Sequence, residues 1–187
     1  GGVLLQGRKP GSSLKNSNLV VIMFGYRDVS ILPVKSGSLG KSLSKKIGGH
    51  NLYHWVGNQI AFHDYQKIAR ILCSSKKLGS RQLQLLMSNP DSLYKTQKIA
   101  QIKKAIREGK KQYWFTLSNW LRGNLERGLS EIIVAGGSAY YFRKDLEKLF
   151  QKLGVAQINW GDELEERITS SFGSQINTHS LHYRLSD

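Results

Sequence analysis

The segment Glu131-Ile132-Ile133-Val134-Ala135-Gly136-Gly137-Ser138-Ala139-Tyr140-Tyr141 constrains this chain most. An apolar run held between a charge and a glycine pair reads as a strand covered on both faces, which requires a sheet with further layers packed on it. The glycines turn the chain. Phe142, Leu146, Leu149, Phe150 and Leu153 then recur at helical spacing, and Gly154 closes that helix. Val155 to Trp160 is a second strand, and Gly161-Asp162-Glu163 opens a last helix with acids in its first turn. Strand, helix, strand and helix in that order call for a parallel pair joined by a right-handed crossover.

The rest of the chain adds to the same sheet. Leu19-Val20-Val21-Ile22-Met23-Phe24 is continuously apolar, Gly25-Tyr26-Arg27-Asp28 turns, and Val29-Ser30-Ile31-Leu32-Pro33-Val34 returns. A β-hairpin is the economical arrangement, with a third short strand after Lys35-Ser36-Gly37-Ser38. Gly48-Gly49 precedes a helix with Leu52, Trp55, Val56 and Ile60 on one face, and Asp64 is placed to cap the next, which carries Ile68, Ala69 and Leu72. A short helix around Leu83, Leu86 and Met87 ends before Asn89-Pro90. From Asp91 a helical stripe runs through Ile99, Ile102, Ile106, Tyr113, Leu117, Leu121 and Leu125; Gly109 is expected to split it in two and Gly128 to end it. The fold class expected is α/β, a mixed sheet with flanking helices. Residues 1–18 form a lead-in loop, and one lobe spans 19–187 with a helical small subdomain inserted at about 40–127.

Composition sets the surroundings. No run of about 18 apolar residues exists, so no transmembrane helix is expected. The first residues lack the apolar core of a signal peptide, and the missing initiator Met is what a piece cut from a longer chain shows. Cys73 stands alone, which excludes an internal disulfide and fits a reducing, cytoplasmic home. The formal charge of +15 should attract polyanions such as DNA, RNA, anionic lipid or an acidic partner, or else balance an acidic remainder. It is uneven. Lys35, Lys41, Lys45 and Lys46 lie in a stretch without an acid, and residues 95–111 hold seven cations against Glu108 alone.

Two turns carry candidate chemistry. Gly136-Gly137-Ser138 after a buried strand presents bare backbone N–H groups at the strand's carboxyl edge, where anionic or nucleotide ligands collect; a tight β–α turn is the structural alternative. At the hairpin tip, Arg27 is suited to phosphate and Asp28 to a water or Mg²⁺, although Gly and Asp also suit an ordinary turn.

The two turns in this order resemble the second half of an actin-like ATPase, in the superfamily of actin, sugar kinases and heat-shock chaperones, and most of all the plasmid-segregation ParM/StbA type. Met23-Phe24-Gly25-Tyr26-Arg27-Asp28-Val29-Ser30-Ile31-Leu32 is similar to the family's phosphate hairpin. Ile132-Ile133-Val134-Ala135-Gly136-Gly137-Ser138-Ala139 is similar to its adenosine turn, and Tyr183-Arg184-Leu185-Ser186-Asp187 to the stretch that returns toward the first half. The resemblance covers roughly 19–187. It implies a ribonuclease H-like, actin-like lobe that binds ATP and Mg²⁺ in the intact protein. The implied contacts are Gly25, Tyr26, Arg27, Asp28, Ser30, Gly136, Gly137, Ser138 and Ala139. It also implies self-association into bacterial filaments and a DNA or DNA-bound adaptor partner. The family's hairpin Asp falls on Met23, which cannot coordinate Mg²⁺. Nucleotide binding is therefore expected to persist where hydrolysis is in doubt, and this piece alone is expected to be a poor ATPase. The charged pair that the family's small subdomain lends to adenine has Lys67 and Arg70 as candidates, with a solvated helix face as the alternative.

A second class of function is a basic nucleic-acid-binding module without catalysis. The lysines of 103–111 beside Tyr113, Trp114, Phe115 and Trp120 motivate it, although such aromatics more often build a core. His50 and His54 stand at a metal-compatible i, i+4 spacing with no evident third ligand, and Cys73 falls in an apolar helical pattern.

Overall fold

The structure is a computed structural model that describes residues 18–74, 78–87 and 94–161. Its strands are β1 (Asn18–Phe24), β2 (Val29–Lys35), β3 (Ser38–Leu39), β4 (Leu43–Lys45), β5 (Glu131–Ala135) and β6 (Gln157–Trp160). Its helices are α1 (Gly49–Ile60), α2 (Tyr65–Ser74), α3 (Ser80–Gln84), α4 (Lys95–Asn124), α5 (Gly137–Tyr140) and α6 (Arg143–Lys152). The sheet runs β3-β2-β1-β5-β6, with β4 also on β2. β1 pairs antiparallel with β2 and parallel with β5, and β5 pairs parallel with β6. A mixed sheet with flanking helices is thus what the chain adopts.

β1 is central and buried on both sides. Val20, Ile22 and Phe24 join Ile132, Val134 and residues of all six helices in the main core. Leu19, Val21, Val34 and Ile133 form a smaller cluster on the opposite face. That division is the period-2 alternation of a strand packed on both faces. The edge of the sheet is interrupted where β2 carries Pro33. Proline has no N–H to give the ladder. The outer chain steps away between β3 and β4, held by Gly40 N–H donating to the Pro33 carbonyl at 2.8 Å.

The helices follow the apolar pattern. Asp64 caps α2, its carboxylate accepting from the Lys67 N–H at 2.9 Å. α6 ends as expected on Gly154, at φ +75°, with Val155 N–H donating to Phe150 O and Gly154 N–H to Gln151 O. That pairing is a Schellman cap. Two expectations fail. Gly109 does not split α4, which runs unbroken for 30 residues. A Cβ there would stand 2.7 Å from Cε3 of Trp55 and 3.1 Å from Cγ2 of Val56, so the glycine lets α1 approach α4. Nor does Gly128 cap α4. The helix ends at Asn124 with Leu125 extended, and Gly128, at φ +70°, turns the chain before β5. The lead-in loop up to residue 17, the expected last helix from Asp162 onward and the return stretch Tyr183 to Asp187 lie outside the described residues.

Candidate nucleotide site

Parallel pairing of β1 with β5 sets Met23 beside Ala135, so the turns after both strands emerge together at one edge of the sheet. Gly136 makes this possible. It sits at φ +102°, where a side chain is strained, and packs directly on the Phe24 backbone. Ser138 Oγ, 114 positions from Phe24 in sequence, donates to the Phe24 carbonyl at 3.4 Å. Gly137 differs: nothing lies within 4 Å of where its Cβ would stand. The first glycine therefore closes the sheet edge, and the second leaves backbone open to a ligand. Ala139 is fully buried in the core and presents no side chain to that edge. α5 has only four residues, so the turn offers N–H groups and room rather than a long helix dipole.

The hairpin tip is held by its carbonyls. Gly48 N–H donates to Arg27 O at 2.8 Å, Gly49 N–H to Gly25 O at 3.2 Å and His50 N–H to Tyr26 O at 2.8 Å. Gly48 has to be glycine, since a Cβ there would lie 2.4 Å from Tyr26 O. With its carbonyls turned onto the start of α1, the tip leaves the Tyr26 and Arg27 N–H groups without an acceptor among the described residues. N–H groups left free in an exposed turn that also carries Arg27 suit a phosphate. Asp28, half-buried, is the carboxylate of this tip. Ser30 turns its hydroxyl to Ser44 Oγ at 3.1 Å, so Ser44, Ser30, Met23 and Ala135 form one row across the sheet. Met23, inside that row on the central strand, is half-exposed at 49%. The Gly48-Gly49 seat was missed by sequence reasoning; a second glycine pair ahead of a helix was its signal.

Side chains around the Gly136 turn complete the surroundings. α2, with Lys67 and Arg70, packs against α5. Lys67 Nζ lies 5.6 Å from the centre of the Phe62 ring, and Arg70 is exposed. Lys110 reaches from α4 to the same region, its Nζ 3.7 Å above the Tyr141 ring. Burial lowers the Lys110 pKa, and Asp145 opposes that shift. Beside it Leu78, Leu83 and Ile106 floor a cavity of about 290 Å³ rimmed by Lys103, Arg107 and Lys110. Lys110 was not singled out from sequence because it sits in a lysine run that reads as a solvated face.

Other candidates resolve into packing. Tyr113 is buried and donates to Ile47 O at 2.8 Å, and Trp114 stacks on Phe142 at 5.9 Å, whereas Phe115 is exposed. His50, His54 and Tyr65 form a run of rings, with centroids 3.9 Å apart for the histidines and 3.6 Å for His54 and Tyr65. Among the described residues no group of three or more His, Cys, Asp or Glu is arranged to hold a metal ion. No described helix is long and apolar enough to cross a membrane.

No protein-family model matches the chain, and no curated protein does. Several solved structures are similar over part of their length. The PilM-PilN type IV pilus biogenesis complex matches at 12% identity and a TM-score of 0.46, over 81% of this chain and 42% of that one. Ethanolamine utilization protein EutJ from Carboxydothermus hydrogenoformans matches at 14% and 0.44, over 79% and 45%. The (R)-2-hydroxyglutaryl-CoA dehydratase component A of Acidaminococcus fermentans matches at 16% and 0.43, over 81% and 58%. The chain thus spans about half the length of these structures, and a likeness of this degree says nothing of its chemistry.

Proposed function

We propose that this chain is the second lobe of an actin-like ATP-binding protein, with the helical 40–127 region as its small subdomain. One observation carries the reading: the register Met23 to Ala135 brings the Gly25–Asp28 turn and the Gly136–Ser138 turn to the same sheet edge. In this reading the N–H groups of Tyr26 and Arg27 and the Arg27 side chain take the phosphates. The open backbone at Gly137 takes the nucleoside, with Lys110, Tyr141, Lys67 and Arg70 around the base. Mg²⁺ fits this edge only through phosphate oxygens, water and the Asp28 carboxylate, which is a usual way for Mg²⁺ to bind. When bound it would neutralise phosphate charge. Met23 offers no group to orient an attacking water, so tight binding with slow hydrolysis is the expected behaviour. A site built from one lobe needs the other, and the intact protein is proposed to form filaments that act in plasmid DNA segregation through DNA or a DNA-bound adaptor.

The test uses the intact protein that contains both lobes. Titration with ATP and Mg²⁺ should show binding, weakened at least about tenfold by Arg27→Ala, and light scattering should rise on ATP addition. Absence of ATP binding disposes of the nucleotide reading; binding without scattering disposes of the filament. A second reading, a nucleic-acid surface without catalysis, is favoured by α4, where exposed Lys95, Lys98, Lys103, Lys104, Arg107 and Lys111 face only Glu108, with Phe115 exposed beyond them. Duplex binding whose affinity falls steeply with salt, in the absence of any ATP binding, selects it.

A further inference from the structure

We propose that the groove between the β2–β4 edge and the C-terminal end of α4 is a docking site for an acidic segment of a partner protein that carries apolar side chains between its carboxylates. The groove has a volume of about 420 Å³, and Val20, Ile31, Pro33, Leu39, Leu43 and Leu129 give it apolar walls. Leu39 is 72% exposed and Leu43 38% exposed. Two leucines presented to water around one concavity make a patch of the kind that marks an interaction surface.

The charges on the rim select the partner. Lys35 and Lys41 line the groove, and Lys45 follows on β4. Glu126, the acid in its lining, is neutralised by Lys35 at 2.6 Å. Lys41 has no carboxylate partner among the described residues, so the rim keeps a positive excess. At the groove wall the Asn18 side-chain oxygen is buried with no hydrogen-bond donor among the described residues. Such an atom is costly unless a donor reaches it. Because β3 and β4 pair with β2 on one side, their other side is the edge of the sheet. An extended segment laid there gains backbone hydrogen bonds as well as side-chain contacts.

Other occupants fit less well. A second copy brings the same excess of lysine and is repelled. Nucleic acid gains from lysines but finds leucine and proline at the centre, with no ring to stack on. The inference uses none of the residues assigned to the nucleotide and stands or falls apart from that reading.

The test measures fluorescence anisotropy of a labelled decapeptide alternating Glu and Leu, added to the full chain. A decapeptide of Glu and Ser and a short DNA duplex are the comparison probes. The Glu–Leu peptide should bind, at least about tenfold tighter than the Glu–Ser peptide. Leu39→Asp with Leu43→Asp should weaken it at least about tenfold, with unchanged circular dichroism because both side chains are exposed. Lys41→Glu, a variant that leaves the apolar groove intact, should weaken it and flatten its dependence on salt between about 50 and 200 mM. No binding of the Glu–Leu peptide at about 100 μM, or equal binding of the Glu–Ser peptide, overturns the proposal. So does duplex binding lost through the same substitutions, or self-association in sedimentation that the leucine variants abolish.

Discussion

A methyl group on Gly136 would stand 2.2 Å from the carbonyl oxygen of Phe24. No Cβ tolerates that distance, and at φ +102° an alanine would be strained even without the contact. Gly136→Ala is therefore predicted to destabilise the fold by roughly 2–5 kcal/mol, a clash with backbone added to left-handed strain. Gly137→Ala is its control, since nothing lies within 4 Å of that Cβ, and should change stability by less than about 1 kcal/mol. Urea midpoints of the two variants measure this. Equal midpoints would show that the two glycines do the same thing and remove the division of labour argued for the turn.

Gly109→Ala sets helix propensity against packing. In an exposed helix the substitution gains about 1 kcal/mol. Here the new methyl meets the Trp55 ring at 2.7 Å and Val56 at 3.1 Å, both buried or half-buried on α1. Overpacking of about 1–3 kcal/mol exceeds the propensity gain, and a net loss of stability is expected in thermal melts. A rise in melting temperature would mean that α1 and α4 do not approach each other at this residue.

The same glycine shows what was legible in the sequence. Local signals were sufficient for β1, the hairpin, the β5 turn and the α6 cap, because apolar runs and glycines act on neighbouring residues there. Gly109 failed because its reason is a ring on another helix, which no local pattern reveals. Both halves of the candidate site were legible as turns, yet the seat that fixes the tip's carbonyls was not. Gly48-Gly49 contacts residues more than twenty positions away, and as sequence it reads only as a helix start. Lys110 was hidden for a related reason: a lysine over Tyr141 looks the same in a sequence as a lysine in water.

Tyr113→Phe is predicted to cost about 1–2 kcal/mol, because the Ile47 carbonyl that accepts its 2.8 Å hydrogen bond is buried and loses its donor. The variant also carries a pH signature. Burial raises the Tyr113 pKa well above its ordinary value of 10.0. The folded state thus holds this proton where the unfolded state has lost it, and unfolding releases it. The contribution is fully present below the unfolded value and is lost as pH rises through and beyond it. Chemical denaturation between about pH 9 and 11 should show a smaller difference between wild type and Tyr113→Phe at the upper end. A difference that stays constant over that range contradicts the buried, neutral phenol.

His54 works at the opposite end. Partial burial, then the charges of His50 and His63, lower its pKa from 6.5. A depressed folded value means that the unfolded chain takes up the proton first, so stability falls as pH drops below the unfolded value and stops falling once folded His54 is protonated. His54→Phe keeps a ring against Tyr65 and removes the titration. Its melting temperature should fall less than that of wild type between about pH 7.5 and 5.5. Parallel curves would place the acid sensitivity elsewhere.

Met23→Asp tests the chemistry of the edge. The side chain lies in the row between Ser30 and Ala135, and it is half-exposed, so a carboxylate can be accommodated there without burial of a charge. In the proposed site that carboxylate stands beside the phosphate turn, where it can orient water or share Mg²⁺ with Asp28. ATP hydrolysis by the intact protein should rise by a factor of about 10² if general-base or water-positioning help is what the wild type lacks, with ATP affinity within about threefold of wild type. The pair of measurements separates the possibilities. Unchanged hydrolysis with ATP still bound refutes the role given to Met23 and leaves the nucleotide site standing, whereas loss of a wild-type ATP affinity shows that the side chain itself contacts the nucleotide.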